Sequence, residues 1–313
     1  MATNSIPGSV VALLQQRRSA IRSYKPPVGN SRREDPVTGE TISLVPSANV
    51  VFFGPVGSGK SSLIGSLFRA VNATPTFPER VDRVLHHQPL DMPNSDEHGT
   101  LKWIETRLND AGTIVLQDTR GDQTFDGREE TIHVQSLKGY FRDDLSIDRH
   151  SMFTSYWWSQ RFFWQRSLAV IPHAIVFVFD GSLEPFLAGE SLPFFKRVFE
   201  DCTNLGYEPI VVVTCLDLMF ANAKTKGVNV DVEKRNRVDL ILAEFDHLNL
   251  KLSDVHFVTN FHQKRGSPLW TSDDEGFEQA TKQFVDLAME LTKLCNRFIR
   301  RKAESRQWLC TVS

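Results

Sequence analysis

A mixed α/β fold, in which helices flank a mostly parallel central sheet, is what this sequence predicts. Three observations lead there. Short apolar runs rich in β-branched and aromatic residues (Asn49–Phe53, Ala174–Phe179, Ile210–Thr214 and Val255–Val258) are each of strand length. The last three are separated by helix-length stretches, the rhythm of strand–crossover–strand units that produce parallel sheets. The first run passes directly into Gly54-Pro55-Val56-Gly57-Ser58-Gly59-Lys60-Ser61-Ser62, a glycine-rich turn that opens a helix.

The remaining elements follow in chain order. Val10–Ser23 reads as a short amphipathic helix with Val10, Leu13, Leu14 and Ile21 on one face. Residues 25–48, rich in Pro, Gly and charge, suggest a loop or small hairpin. Residues 73–98 hold four prolines and no clear period, and suggest a long surface loop. Thr100–Leu108 and Thr113–Gln117 read as adjacent strands joined at the turn Asn109-Asp110-Ala111-Gly112. Residues 119–150 are polar and glycine-containing, and are expected to be mobile. A long helix from about Glu275 to Lys302 closes the fold. The expected division is 1–47 as an N-terminal helix and loop extension, 48–302 as the main domain, and 303–313 as a basic tail.

Composition narrows the function classes. The 313 residues are 41% hydrophobic and 24% charged, ordinary for a globular protein. A formal net charge of −2 offers a polyanion no global field, so no nucleic-acid partner is expected. The first residues carry no basic n-region ahead of an apolar run, and no stretch of about eighteen uncharged apolar residues occurs. Neither a signal peptide nor a membrane span is expected. Cys202, Cys215, Cys295 and Cys310 lack zinc-type spacing and suit reduced thiols in the cytoplasm.

The turn from Gly54 to Ser61 is a G-x-x-x-x-G-K-S phosphate loop. Its strand–loop–helix setting converges backbone N–H groups on a helix N-terminus, where the dipole favours phosphate. Lys60 would supply a point charge for the β- and γ-phosphates, and Ser61 a hydroxyl for Mg²⁺. After the strand ending at Gln117 comes Asp118-Thr119-Arg120-Gly121. Here a strand-end carboxylate reaches Mg²⁺ through water and Gly121 offers its N–H to the γ-phosphate. No acid stands at Thr119, so the water-polarising Glu of many ATPases is missing.

The next strand ends in Thr214-Cys215-Leu216-Asp217. A carboxylate only accepts hydrogen bonds, and guanine presents adjacent donors at N1 and N2 where adenine does not, so Asp217 is expected to select guanine. Val258-Thr259-Asn260-Phe261 stands where backbone would meet the guanine O6 and a side wall would flank the base, with Asn260 the contact residue. Thr100 is the expected switch hydroxyl completing the Mg²⁺ shell, with Thr74 and Thr76 as competitors. For orienting the attacking water, Gln123 is preferred to Asp122, whose charge the γ-phosphate would repel. Arg120 could assist from the same chain.

Several of these stretches carry a family resemblance: Ile21-Arg22-Ser23-Tyr24-Lys25-Pro26, the phosphate loop, Asp118–Gly121, Thr214–Asp217 and Val258-Thr259-Asn260-Phe261-His262. Through them residues 20–300 resemble the interferon-induced protein 44 family of GTPases, distant relatives of dynamin- and septin-type proteins. The resemblance implies a cytoplasmic Ras-like domain, with Thr214 in place of the usual Asn, that binds GTP and hydrolyses it slowly.

Two features lie outside that site. Tyr156–Trp164 is the densest aromatic run and reads either as core packing or as a homodimer or effector surface. Cys310-Thr311-Val312-Ser313, preceded by Arg297, Arg300, Arg301, Lys302 and Arg306, has the shape of a prenylation signal with a basic second element for a membrane surface. The expected protein is therefore a Mg²⁺-dependent GTP/GDP-binding protein and slow GTPase of Ras-like phosphate-loop fold. The alternatives are a scaffold that binds guanine nucleotide without hydrolysing it, and an ATP-binding phosphate-loop protein.

Overall fold

A computed structural model describes residues 8–27, 32–34, 41–43, 45–74, 76, 78, 103–119, 121–122, 125–139, 168–183, 189–246, 250–261 and 277–304. In chain order its elements are α1 (Gly8–Arg22), β1 (Arg32–Glu34), β2 (Thr41–Ser43), β3 (Ala48–Phe53), α2 (Lys60–Asn72), β4 (Ile104–Arg107), β5 (Ile114–Asp118) and α3 (Gly127–Leu137). There follow β6 (Ala174–Asp180), α4 (Ser191–Asn204), β7 (Ile210–Thr214), α5 (Leu216–Thr225), α6 (Val230–Phe245), β8 (Val255–Phe257) and α7 (Phe277–Glu304).

Six strands form one sheet in the order β4-β5-β3-β6-β7-β8, and only β4 runs antiparallel to its neighbour. The expected α/β fold, with helices flanking a mostly parallel central sheet, is borne out. The period-two alternation of side chains across a strand divides the core in two. Val50, Phe52, Val176, Val178 and Val212 face α1, α2 and α7. Val51, Phe53, Phe177, Phe179 and Val213 face α3, α4 and α6. Strands buried on both faces read as continuous apolar runs, which is why they were legible in the sequence.

The short hairpin β1–β2 lies within the stretch read as loop or hairpin, and the β4–β5 turn closes through the Gly112 N–H on the Asn109 carbonyl at 2.9 Å. α1 docks rather than frays: Ile21 is buried, and Arg18 and Arg22 donate to the carbonyls of Ala70 and Val71 at the C-terminal end of α2, at 2.7 and 3.1 Å. Leu13 corrects the expected apolar face, since it stays exposed while Leu14 packs on the core.

The expected mobile stretch after residue 119 is also corrected, because residues 127–137 form α3. The Asp126 carboxylate accepts the Glu129 N–H at 3.1 Å, and the Glu129 carboxylate accepts the Phe125 N–H at 2.7 Å. These reciprocal bonds satisfy the first turn as a capping box does.

Among the described residues no helix is long and apolar enough to cross a membrane. Cys202, Cys215 and Cys295 are free thiols. The aromatic run Tyr156–Trp164 and the terminal Cys310 lie outside the described residues. Part of the basic C-terminal stretch is already engaged: Arg297 and Arg301 pair with Glu208, and Lys302 donates to the Leu205 carbonyl.

Candidate nucleotide site

The site collects at the C-terminal ends of the parallel strands, where β3, β5 and β7 deliver Gly54, Asp118 and Thr214. The phosphate loop leaves β3 under steric control. A Cβ on Gly54 would stand 2.1 Å from the Val178 carbonyl oxygen, so no other residue fits there without moving β6. Gly59 is left-handed (φ 84°) and caps α2 without a side-chain bond, which leaves the helix N–H groups open to an anion. Lys60 is almost fully buried and its Nζ donates to the carbonyls of Gly54 and Pro55 at 2.8 and 2.9 Å. Burial holds its pKa below the ordinary lysine value, while the nearby carboxylates of Asp118 and Asp122 favour the charged form.

On the metal side, the Ser61 hydroxyl donates to the Asp118 carboxylate at 2.5 Å. The Thr119 hydroxyl bonds the Phe52 carbonyl at 2.6 Å, which fixes the chain just past β5. Gly121 crosses the phosphate loop so closely that a Cβ there would lie 2.6 Å from the Val56 Cα. Thr74 and Thr76 place their hydroxyls 3.0 Å apart in an exposed turn. Thr100, Arg120 and Gln123 lie outside the described residues. Among the described residues no group of three His, Cys, Asp or Glu side chains could hold a metal on its own. A hydroxyl beside a single carboxylate suits Mg²⁺ that arrives with phosphate and keeps several waters.

On the base side, β7 ends with the Thr214 hydroxyl donating to the Ser58 carbonyl at 2.6 Å, so the strand end holds the phosphate loop directly. Cys215 then takes a left-handed conformation (φ 55°) that starts α5 and brings Asp217 into its first turn. Asp217 is half-buried, and its carboxylate accepts no hydrogen bond among the described residues. The Cys215 thiol is pushed up to about 12 by burial and by the Asp180 carboxylate, so it stays a neutral thiol.

Asn260 comes from the turn after β8 and approaches the Gly59 carbonyl at 3.5 Å through Nδ2. Its Oδ1 and the Ser58 Oγ are buried with no hydrogen-bond partner. A Cβ on Gly59 would meet Asn260 Nδ2 at 3.0 Å and Thr214 Oγ1 at 3.2 Å, so Gly59, Thr214 and Asn260 converge on one spot. Phe261 follows in the same turn. It is fully buried, its N–H donates to the Ser66 hydroxyl at 2.9 Å, and the Arg69 guanidinium lies 5.0 Å from its ring centre. It anchors the turn to α2.

Sequence reasoning passed over a pair beside the phosphate loop. Asp122 is buried, and its Oδ1 lies 2.8 Å from the Nε2 of His133 on α3. The Asp126-x-x-Glu129 capping signal could have revealed the helix carrying His133, but not its partner.

No family model matches the chain. Interferon-induced protein 44 of Homo sapiens is 25% identical over 268 residues, covering 80% of this chain and 52% of the relative. The same protein of Pan troglodytes matches over the same shares. The chain spans about half the length of the curated relatives it matches, and the family resemblance read from its motifs is borne out. Similar solved structures include Toc33 from Arabidopsis thaliana in complex with GDP and Mg²⁺ (14% identity, TM-score 0.44, 81% of this chain and 86% of that one). The S. cerevisiae Ski7 GTPase-like domain bound to GDP and inorganic phosphate is also similar (14%, TM-score 0.39, 79% and 51%). So is a probable GTP-binding protein engB (14%, TM-score 0.38, 78% and 99%).

Proposed function

We propose that this chain binds a guanine nucleotide together with Mg²⁺ and hydrolyses GTP slowly. The observation that carries the reading is convergence: the phosphate loop, Thr214 and Asn260 meet at Gly59, with buried oxygens of Ser58 and Asn260 left without partners. Buried polar atoms are nearly always paired, so this cluster suits a polar ligand laid over the loop. The loop N–H groups and Lys60 would hold the phosphates, and Ser61 and Asp118 the metal, with Thr100 as the proposed switch ligand. Mg²⁺ supplies charge neutralisation of the phosphate oxygens. Asp217, half-buried and unengaged, would accept from the two guanine donors.

A second reading, binding without hydrolysis, is favoured by Asp122. The side chain after Gly121 is turned into the protein onto His133 and so is not the one to orient a water. Gln123 and Arg120 are the residues proposed for that work under the first reading. Single-turnover hydrolysis by the pure protein separates the two. Binding itself is tested by thermal unfolding with GDP, GTP or ATP and Mg²⁺. A guanine nucleotide at a thousandfold excess over Kd should add about 4 kcal/mol of stability. Lys60→Ala should abolish most of that rise. Absence of any shift at millimolar nucleotide, or an equal shift with ATP, would overturn the reading.

A further inference from the structure

We propose that Asp122, held by His133, sets the choice between nucleoside diphosphate and triphosphate at this site, and that it favours the diphosphate. This rests on the guanine-nucleotide reading and deepens it.

Asp122 is built into the phosphate loop through its backbone. Its N–H donates to the Gly54 carbonyl at 3.2 Å, and its own carbonyl accepts the Val56 N–H at 3.0 Å. The Gly54 carbonyl also accepts from Lys60 Nζ at 2.8 Å, so the aspartate and the ammonium meet on one oxygen. The Asp122 carboxylate therefore lies within the field of the lysine that must bind phosphate, consistent with its pull on the charged form of Lys60.

The partner of that carboxylate compensates it only in part. His133 meets Oδ1 at 2.8 Å, with side-chain exposures of 2% for His133 and 5% for Asp122, while Asp122 Oδ2 is buried with no donor. His133 Nδ1 is buried without a partner as well. His133 Nε2 thus reaches one carboxylate oxygen and leaves the other, Oδ2, without a donor, so the Asp122 charge is compensated from one side only. Phe53 and Phe194 pack on the imidazole, with ring centres 4.2 and 5.6 Å away, and exclude water from it. A carboxylate so poorly screened opposes an additional phosphate charge near Lys60, and a diphosphate brings less of it.

Displacement of a fluorescent GDP derivative by GDP and by a non-hydrolysable GTP analogue, both with Mg²⁺, measures the preference directly. The wild-type chain should bind GDP on the order of tenfold more tightly than the analogue. Asp122→Asn, which removes the charge and keeps the shape, should shift the ratio toward the triphosphate by a similar factor. His133→Gln can still donate to Oδ1 and should retain the wild-type ratio. Equal wild-type affinities overturn the proposal, whether or not either variant folds. So does a ratio that Asp122→Asn leaves unchanged, or one that His133→Gln collapses as fully as Asp122→Asn. Binding of neither ligand by the wild-type chain overturns the guanine-nucleotide reading itself, which separates the two failures.

Discussion

Acid should weaken this fold through His173. The residue sits just ahead of β6, buried, with Nδ1 accepting the Asn49 backbone N–H at 2.8 Å and Nε2 lying 2.8 Å from the Leu168 carbonyl. The first bond needs a bare Nδ1, so the native ring is neutral with its proton on Nε2. Burial, opposed by the bond to Leu168, brings its pKa down to about 4 from the ordinary 6.5. A histidine depressed in this way contributes its full stability above the unfolded value. That stability is lost as the pH falls from about 6.5 toward 4, because the unfolded chain takes up a proton that the folded chain refuses. The shift corresponds to about 2 kcal/mol lost between pH 7 and pH 5, and about 3 kcal/mol by pH 4. Urea unfolding at pH 7 and pH 5 measures it. His173→Gln should be less stable at pH 7 yet show a smaller loss on acidification, by about 2 kcal/mol. If wild type and His173→Gln lose the same free energy between the two pH values, the ring does not titrate as its surroundings require. Asn49 belongs to β3, the strand that presents the phosphate loop, so the same acidification should also weaken nucleotide binding.

Further outcomes follow from the site. Gly54→Ala puts a Cβ 2.1 Å from the Val178 carbonyl oxygen and should cost about 2–4 kcal/mol in urea unfolding; an unchanged midpoint would mean that the loop is not seated on β6. Asp217→Asn should move base preference from guanine toward xanthine, whose O2 the new amide can donate to, and competition binding with the two nucleotides decides it. Asn260→Ala should lower guanine-nucleotide affinity by about tenfold while leaving the melting temperature of the ligand-free chain nearly unchanged, since its contact to Gly59 is long at 3.5 Å.

The phosphate loop, the strands of the sheet and the β4–β5 turn were legible in the sequence because each is a local signal. Glycines and a lysine at fixed spacing, an apolar run of strand length and Asn109–Gly112 between two such runs all act over a few residues. The order of Asp118, Thr214 and Asn260 along the chain was likewise readable, since Asp118 and Thr214 end strands and Asn260 lies in the turn after one. α3 was missed although its capping residues were visible, because its apolar positions are few and His133 and Ser136 help fill its buried face. What only the tertiary structure decided are the pairings across the site. Thr214 holds Ser58 across 156 residues, Phe261 holds Ser66 across 195, and Asp122 finds His133 eleven residues away on another element. Folding seats Asp122 against the loop that carries Lys60, because a backbone bridge to the loop and a histidine contact offset part of the cost of removing a carboxylate from water. A sequence spells out the propensity of each segment, but which polar groups lose their water together is settled only when the sheet brings them to one place.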